Sequence, residues 1–365
     1  MRGVTVTLPL RPELAGEQPY GAPQHDVAAP LNVNENPYPP SEAMVAATAE
    51  AVAQATRGLN RYPDREAIAL RAALADYLGH GLTVDRVWAA NGSNEVMLHL
   101  LQAFGGPGRT VVSFAPTYSM YPEYARDTHT RWVAGRRADD FTLDLDEVSR
   151  VLRVEQPSVV LLTSPNNPTG TALPLDHVRH VLAVATDAVV VVDEAYAEFC
   201  RPGTPTALEL LDDHPRLAVT RTMSKAFALA GARLGYLAGT RALVDALRIV
   251  RLPYHLSDVT QAVATTALRF APELLARVAE LRDRRDATAA WLAEHGYVVA
   301  DSDANFVLFG RFDDRHAVFT ELLDAGVLIR EVGPAGWLRV SIGTAEQMKM
   351  FQNALTDSPS ARRRS

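Results

Sequence analysis

Between about residues 56 and 245, short apolar runs alternate with longer stretches of mixed polarity. Thr110–Phe114, Val159–Thr163, Ala188–Val192 and Leu217–Thr220 are rich in β-branched residues, and each gives way to polar or Gly/Pro-rich residues. Such runs suit strands buried on both faces, as in a parallel sheet whose strands are joined by helices. Val96–Phe104 reads as one of those helices. Upstream, residues 1–40 are rich in proline, glycine and asparagine with little periodicity, which predicts an extended arm. Ser41 stands where an N-cap would open an alanine-rich helix to about Ala55. After Pro253 the pattern changes. Leu274, Val278 and Leu281 mark one face of a long helix continuing toward Trp291. Tyr297–Val299, Phe306–Phe309, Val327–Arg330 and Trp337–Ile342 read as strands of a second unit. The pattern predicts an α/β protein with a large domain over 41–250, its mostly parallel sheet lying between helices. A smaller α+β domain follows over 251–356. The arm, residues 1–40, joins part of the small domain, and 357–365 form a tail without fixed structure.

The length of 365 residues accommodates two domains. A formal net charge of −7 argues against nucleic acid or a membrane surface as partner. The one basic run, Arg362-Arg363-Arg364, falls in the tail. Cys200 is the only cysteine, so no intrachain disulfide can form, which suits a reducing cytoplasm. Met1–Thr7 carries no sustained apolar core and reads as no signal peptide. No apolar run approaches the roughly 20 residues that span a bilayer.

In sheets of this kind ligands gather beyond the carboxyl ends of the strands. Tyr118, Asn167, Asp193, Tyr196, Thr222 and Lys225 all follow such ends. Val189–Val192 runs straight into Asp193-Glu194-Ala195-Tyr196. Lys225 sits in Thr222-Met223-Ser224-Lys225-Ala226-Phe227, with Arg233 eight residues on. Alone, Asp193 reads equally as a helix cap and Lys225 as a surface lysine. Together they form the set that holds pyridoxal 5′-phosphate as a Schiff base. The amine bonds the aldehyde, the carboxylate keeps the ring nitrogen protonated, and hydroxyls and guanidinium take the phosphate. Asn91-Gly92-Ser93-Asn94-Glu95 opens the helix Val96–Phe104, and Gly92, Ser93 and Asn94 would meet that phosphate through backbone N–H groups. Asn167, within Ser164–Gly170, would donate to the ring's phenolic oxygen, as Tyr196 would, and Tyr118 would stack on the ring. Arg330 and Arg339 carry planar forks that match carboxylate and phosphate. No metal site is expected: the ten histidines lack ligand spacing, and His177 and His180 read as a solvated helix face. No nucleotide-binding glycine loop and no nucleophile elbow is present.

Seven segments in order carry a resemblance to the fold-type I pyridoxal-phosphate aminotransferases, and among them to the histidinol-phosphate aminotransferases of actinobacterial type. They are Asn32–Pro37, Asn60–Asp64, Ala89–Glu95, Ser164–Gly170, Thr220–Phe227, Arg251–Leu256 and Asn305–Phe309. The likeness runs from Pro19 to about Gly343. It implies that Lys225 is the Schiff-base lysine, with Asp193 and Tyr196 beside it in catalysis. It implies a homodimer with shared active sites, in which Tyr62 reaches the cofactor phosphate or substrate of the neighbouring subunit. Tyr20, Asn34, Asn167, Arg330 and Arg339 would form the substrate end. Asn94 stands where many relatives carry aspartate, so its backbone N–H counts for more than its side chain. The reaction implied is reversible amino transfer between L-glutamate and imidazole-acetol phosphate, giving 2-oxoglutarate and L-histidinol phosphate for histidine biosynthesis. Aromatic amino-acid (phenylalanine) aminotransferases and threonine-phosphate decarboxylases share the scaffold and remain alternatives.

Overall fold

The β-branched runs form the middle of a seven-stranded sheet in the computed structural model, which describes residues 8–362. Its strands in chain order are β1 (Val87–Ala90), β2 (Thr110–Ala115), β3 (Arg131–Arg136), β4 (Val159–Thr163), β5 (Val189–Asp193), β6 (Leu217–Thr222) and β7 (Gly235–Ala238). Across the sheet they lie in the order β1-β7-β6-β5-β4-β2-β3. The pairs from β6 to β3 are parallel, while β7 is antiparallel to both β6 and β1. All strands but β7 therefore end on one side. Alternate residues enter opposite cores: Val190 and Val192 one, Val189 and Val191 the other. Burial on both faces explains why these strands read as unbroken apolar runs.

The α/β architecture of the sequence reading is present, with helices flanking a mostly parallel sheet. Ser41 caps the helix Glu42–Thr56, its Oγ accepting from the Met44 N–H at 3.2 Å. The long helix spans Ala271–Glu294 and buries Leu274, Val278, Leu281 and Leu292. Val298–Val299, Phe306–Gly310 and Trp337–Ser341 form a small antiparallel sheet.

One expectation differs, that of a tail without fixed structure over 357–365. Val327–Leu328, read as a strand of the second unit, lies outside that small sheet. It pairs in parallel with Ala29–Pro30 of the arm, and Arg330 meets Arg339 only as an isolated bridge. At the C-terminus the helix Ala345–Asp357 runs on into a turn, Pro359–Ala361, held by Ser358 and Ser360 hydroxyls donating to Glu321. Arg363–Ser365 lie outside the described residues, as does the Met1–Thr7 segment read for a signal peptide. Among the described residues no helix is long and apolar enough to cross a membrane.

Candidate active site

β5 ends in Asp193, which lies in register with Thr220 of β6. Its side chain is buried. Oδ2 accepts from the Tyr121 hydroxyl at 3.0 Å and Oδ1 from Thr220 Oγ1 at 3.2 Å. Among the described residues no cation pairs with it. Burial pushes its pKa up from 3.8 to about 6, against the hydrogen bonds from Tyr121 and Thr220. A carboxylate placed this way is an anion awaiting a cation.

Beside it, the Tyr196 hydroxyl accepts from Asn34 Nδ2 at 3.0 Å and Asn167 Nδ2 at 3.4 Å. Burial raises the Tyr196 pKa, so it stays a phenol. Asn167 Oδ1 in turn accepts from Arg339 Nη1 at 2.6 Å. The Arg339 guanidinium is buried over the Phe306 ring, 4.9 Å from its centroid, and Nη2 donates to the Asn32 carbonyl at 2.8 Å. Its Nε has no partner among the described residues. Burial lowers its pKa as well.

The Lys225 amine donates to the Val33 carbonyl at 2.9 Å. Burial first, then the charges of Arg339 and Arg233, push its pKa down from 10.5 to about 8, against a smaller opposing pull from Glu35. Residues 32 to 34 thus clip the site together: Asn32 holds Arg339, Val33 holds Lys225 and Asn34 holds Tyr196. Asn34 sits at φ 56°, a left-handed conformation that asparagine tolerates. Its N–H donates to Ser341 Oγ at 2.9 Å, Ser341 Oγ donates back to its Oδ1 at 2.8 Å, and its carbonyl accepts from Asn305 Nδ2 at 3.0 Å.

A second cluster lies where β1, β6 and β7 meet. The helix Ser93–Phe104 begins directly after Gly92 and presses on β7: a Cβ on Gly235 would come 2.1 Å from the Ser93 nitrogen. Gly92 has φ +82°, and a Cβ there would meet Arg233 Nη2 at 2.6 Å. Thr222 Oγ1 donates to Ser224 Oγ at 3.0 Å, and Arg233 Nη1 reaches Ser224 Oγ at 3.4 Å. Ser93 and Asn94 form the first turn of the helix, whose N–H groups lack intrahelical partners and favour an anion. Here a guanidinium, two hydroxyls and a helix start converge.

Tyr118 lies edge to face with Tyr121, ring centroids 5.5 Å apart, and burial raises its pKa. Tyr20 comes over from the arm, its hydroxyl 2.7 Å from Ser119 Oγ. Arg330 reaches the Gly21 carbonyl at 3.5 Å with Nη2, while its buried Nη1 has no partner among the described residues. Tyr62 stands apart. It is 77% exposed and stacks on Tyr254 at 4.4 Å, with no hydrogen bond or ring contact to the other candidates among the described residues. The sequence reading missed Tyr121, Thr220, Asn32, Ser341 and Asn305. Tyr121 had a signal, standing three residues past Tyr118 beyond the end of β2. The others act through contacts across long sequence separations.

The chain matches the family model for aminotransferase class I and II over residues 28–355. It is 64% identical over 348 residues to a histidinol-phosphate aminotransferase of Thermobifida fusca, covering 95% of each chain. It is 56% identical over 378 residues to one from Bifidobacterium longum, covering 98% of each. Among solved structures it superposes on a histidinol-phosphate aminotransferase from Sinorhizobium meliloti in complex with pyridoxal-5′-phosphate. The TM-score is 0.86 at 25% identity, over 97% of this chain and 98% of that one.

Proposed function

The chain belongs to the aminotransferase class I and II family, and we propose that within it this protein is the pyridoxal-phosphate enzyme that transfers an amino group between L-glutamate and imidazole-acetol phosphate. The observation that carries the reading is the high identity to relatives of that activity along almost the whole chain, joined to a site whose residues suit the reaction.

The residues fit the cofactor. Asp193 is a buried carboxylate that meets no cation among the described residues and would pair the ring nitrogen. Gly92, where a side chain would displace Arg233, opens a cradle with Ser93, Asn94, Thr222, Ser224 and Arg233 for the phosphate. Asn167 and Tyr196 would meet the phenolic oxygen and Tyr118 the ring face. Pyridoxal 5′-phosphate, when bound, supplies an aldehyde that captures amines and a ring that stabilises negative charge at the substrate α-carbon.

The chain supplies the rest. With its pKa near 8, the Lys225 amine is in part unprotonated near neutral pH and serves as base and acid for the α-carbon proton. The Val33 carbonyl offers that amine an acceptor at 2.9 Å when it is free. Arg339 offers its unpartnered Nε, and Arg330 its Nη1, to a carboxylate or a phosphate monoester, so one site serves both substrates. Tyr20 and Asn34 line the same end. The small sheet that carries Arg339 would be the smaller domain, closing on the large one.

The working unit is a homodimer. Tyr62 and Tyr254 stack on the surface, and Leu59, Ile249 and Leu252 are also exposed apolar side chains of the same two segments. Paired across a two-fold axis, this surface would bring Tyr62 to the neighbouring site.

The test is a matched comparison of keto acids with L-glutamate as donor. Imidazole-acetol phosphate should be preferred by a wide margin over phenylpyruvate. A reversed preference would make the protein an aromatic amino-acid aminotransferase, and carbon dioxide release from threonine phosphate a decarboxylase.

A further inference from the structure

β1 is the edge strand next to β7, so the carbonyls along its outer side have no neighbouring strand among the described residues. Two side chains satisfy them. Arg71 Nε donates to the Val87 carbonyl at 2.7 Å, and His255 Nε2 lies 3.0 Å from the Ala89 carbonyl. A carbonyl only accepts, so Nε2 is the donor of that bond, while Nδ1 is buried without a partner among the described residues. The His255 ring lies flat on the Trp88 indole, centroids 5.3 Å apart and planes 10° apart. Trp88 is fixed from its other end, its Nε1 donating to His99 Nδ1 at 3.3 Å, and burial keeps His99 neutral with a pKa near 4. The backbone of the same residue makes a further contact: the His255 carbonyl accepts from Asn91 Nδ2 at 2.8 Å. Asn91 then donates from N and Nδ2 to Glu95 Oε2, at 2.6 and 2.9 Å. His255 therefore grips residues 88, 89 and 91, the three positions that lead into Gly92.

We propose that His255 is a positioning residue for the phosphate cradle, holding the exit of β1 so that the amides of Gly92, Ser93 and Asn94 stand where a phosphate meets them. The inference rests on the cofactor reading above and adds to it a residue that touches neither cofactor nor substrate. An ordinary structural role would weaken every ligand of the site alike. A role in holding this turn weakens the ligand that carries a phosphate.

The experiment measures dissociation constants of pyridoxal 5′-phosphate and of pyridoxal, which lacks the phosphate, by titrating the intrinsic tryptophan fluorescence of cofactor-stripped protein. His255→Phe keeps a ring over Trp88 and loses the bond to Ala89. It should weaken pyridoxal 5′-phosphate about tenfold, the scale of one lost hydrogen bond, and leave pyridoxal within about twofold. His255→Asn, which restores a donor, should recover part of the loss. If His255→Phe does not fold, Asn91→Ala removes the other bond to residue 255 and carries the same test. Equal weakening of both ligands, or of neither, overturns the proposal. Wild-type protein that binds neither form removes the cofactor reading itself and this inference with it.

Discussion

At the scale of single residues, the site spends stability to hold charge where water is excluded. Asp193 has its pKa raised from 3.8 to about 6 in the fold, chiefly by burial. A raised value means the folded chain favours the protonated acid. The stability contributed by that acid is complete below about pH 4 and is lost as pH rises through about 6. In cofactor-stripped protein the loss is on the order of 3 kcal/mol above that range. Asn cannot ionise and can still bond both Tyr121 and Thr220. Asp193→Asn should therefore melt at a higher temperature than wild type at pH 8 without cofactor, with the difference closing toward pH 4. Its turnover with cofactor should fall about a hundredfold or more. A melting temperature unchanged at pH 8 would show that the carboxylate is not strained by burial. Lys225 is tuned in the opposite sense, its amine lowered to about 8 so that a free base is available near neutrality. Lys225→Ala should cut turnover by at least about 10³-fold, as loss of a general base does. Borohydride reduction of the wild-type holoenzyme should tag the peptide holding Lys225, and a tag elsewhere would displace it from its role.

Among the elements, the junction of β7 with the helix Ser93–Phe104 sets the tightest constraint. A Cβ on Gly235 would lie 2.1 Å from the Ser93 nitrogen and 2.3 Å from the Gly92 carbonyl carbon, both backbone atoms that cannot swing aside. Gly235→Ala must push the helix start off the sheet. It should cost about 1–3 kcal/mol in denaturant unfolding, the range for overpacking, and weaken cofactor binding along with it. Gly231→Ala meets nothing within 4 Å among the described residues and serves as the neutral control. This junction was only half legible in the sequence. Asn91–Glu95 announced a helix start after a strand, because glycine and capping residues carry local signals. The strands around it did not. Val87–Ala90 and Gly235–Ala238 are four residues each and diluted by alanine and glycine, and Arg131–Arg136 is an edge strand with mostly polar exposure. The central strands were plain, since burial on both faces demands an unbroken apolar run. Asp193 and Lys225 were plain for the same reason, each following such a run. What stayed hidden depends on pairing across the chain. The bond from Lys225 to Val33 spans 192 residues and that from His255 to Ala89 spans 166, and no local pattern encodes either. The run Val327–Arg330 read as a strand of the second unit, but its apolar residues do not say which edge they will meet, and it meets the arm.

For the molecule as a whole, the question is why large apolar side chains stay in water. Ile249, Leu252 and Tyr62 are 83, 75 and 77% exposed, and the Tyr62–Tyr254 stack ties their two segments into one surface. Apolar patches of this kind mark interfaces, and a two-fold pairing lets one patch cover itself. Leu252→Asp together with Tyr254→Asp would bury like charges against each other across the axis. The doubly substituted protein should sediment as a single 39.7 kDa chain, and wild type should sediment at twice that mass. A double variant that remains dimeric would place the interface elsewhere. Sharing of sites is a separate claim with its own test. Tyr62→Ala and Lys225→Ala homodimers each damage both sites, but a hybrid keeps one site with Lys225 from one subunit and Tyr62 from its partner. Random reassembly of equal amounts makes about half the dimers hybrid, each with one sound site. Assayed at a cofactor concentration too low for Tyr62→Ala, the mixture should therefore recover about a quarter of wild-type activity, well above either parent. If hybrids form and nothing is recovered, Tyr62 serves its own subunit, and the exposed stack is an interface without a part in the neighbouring site.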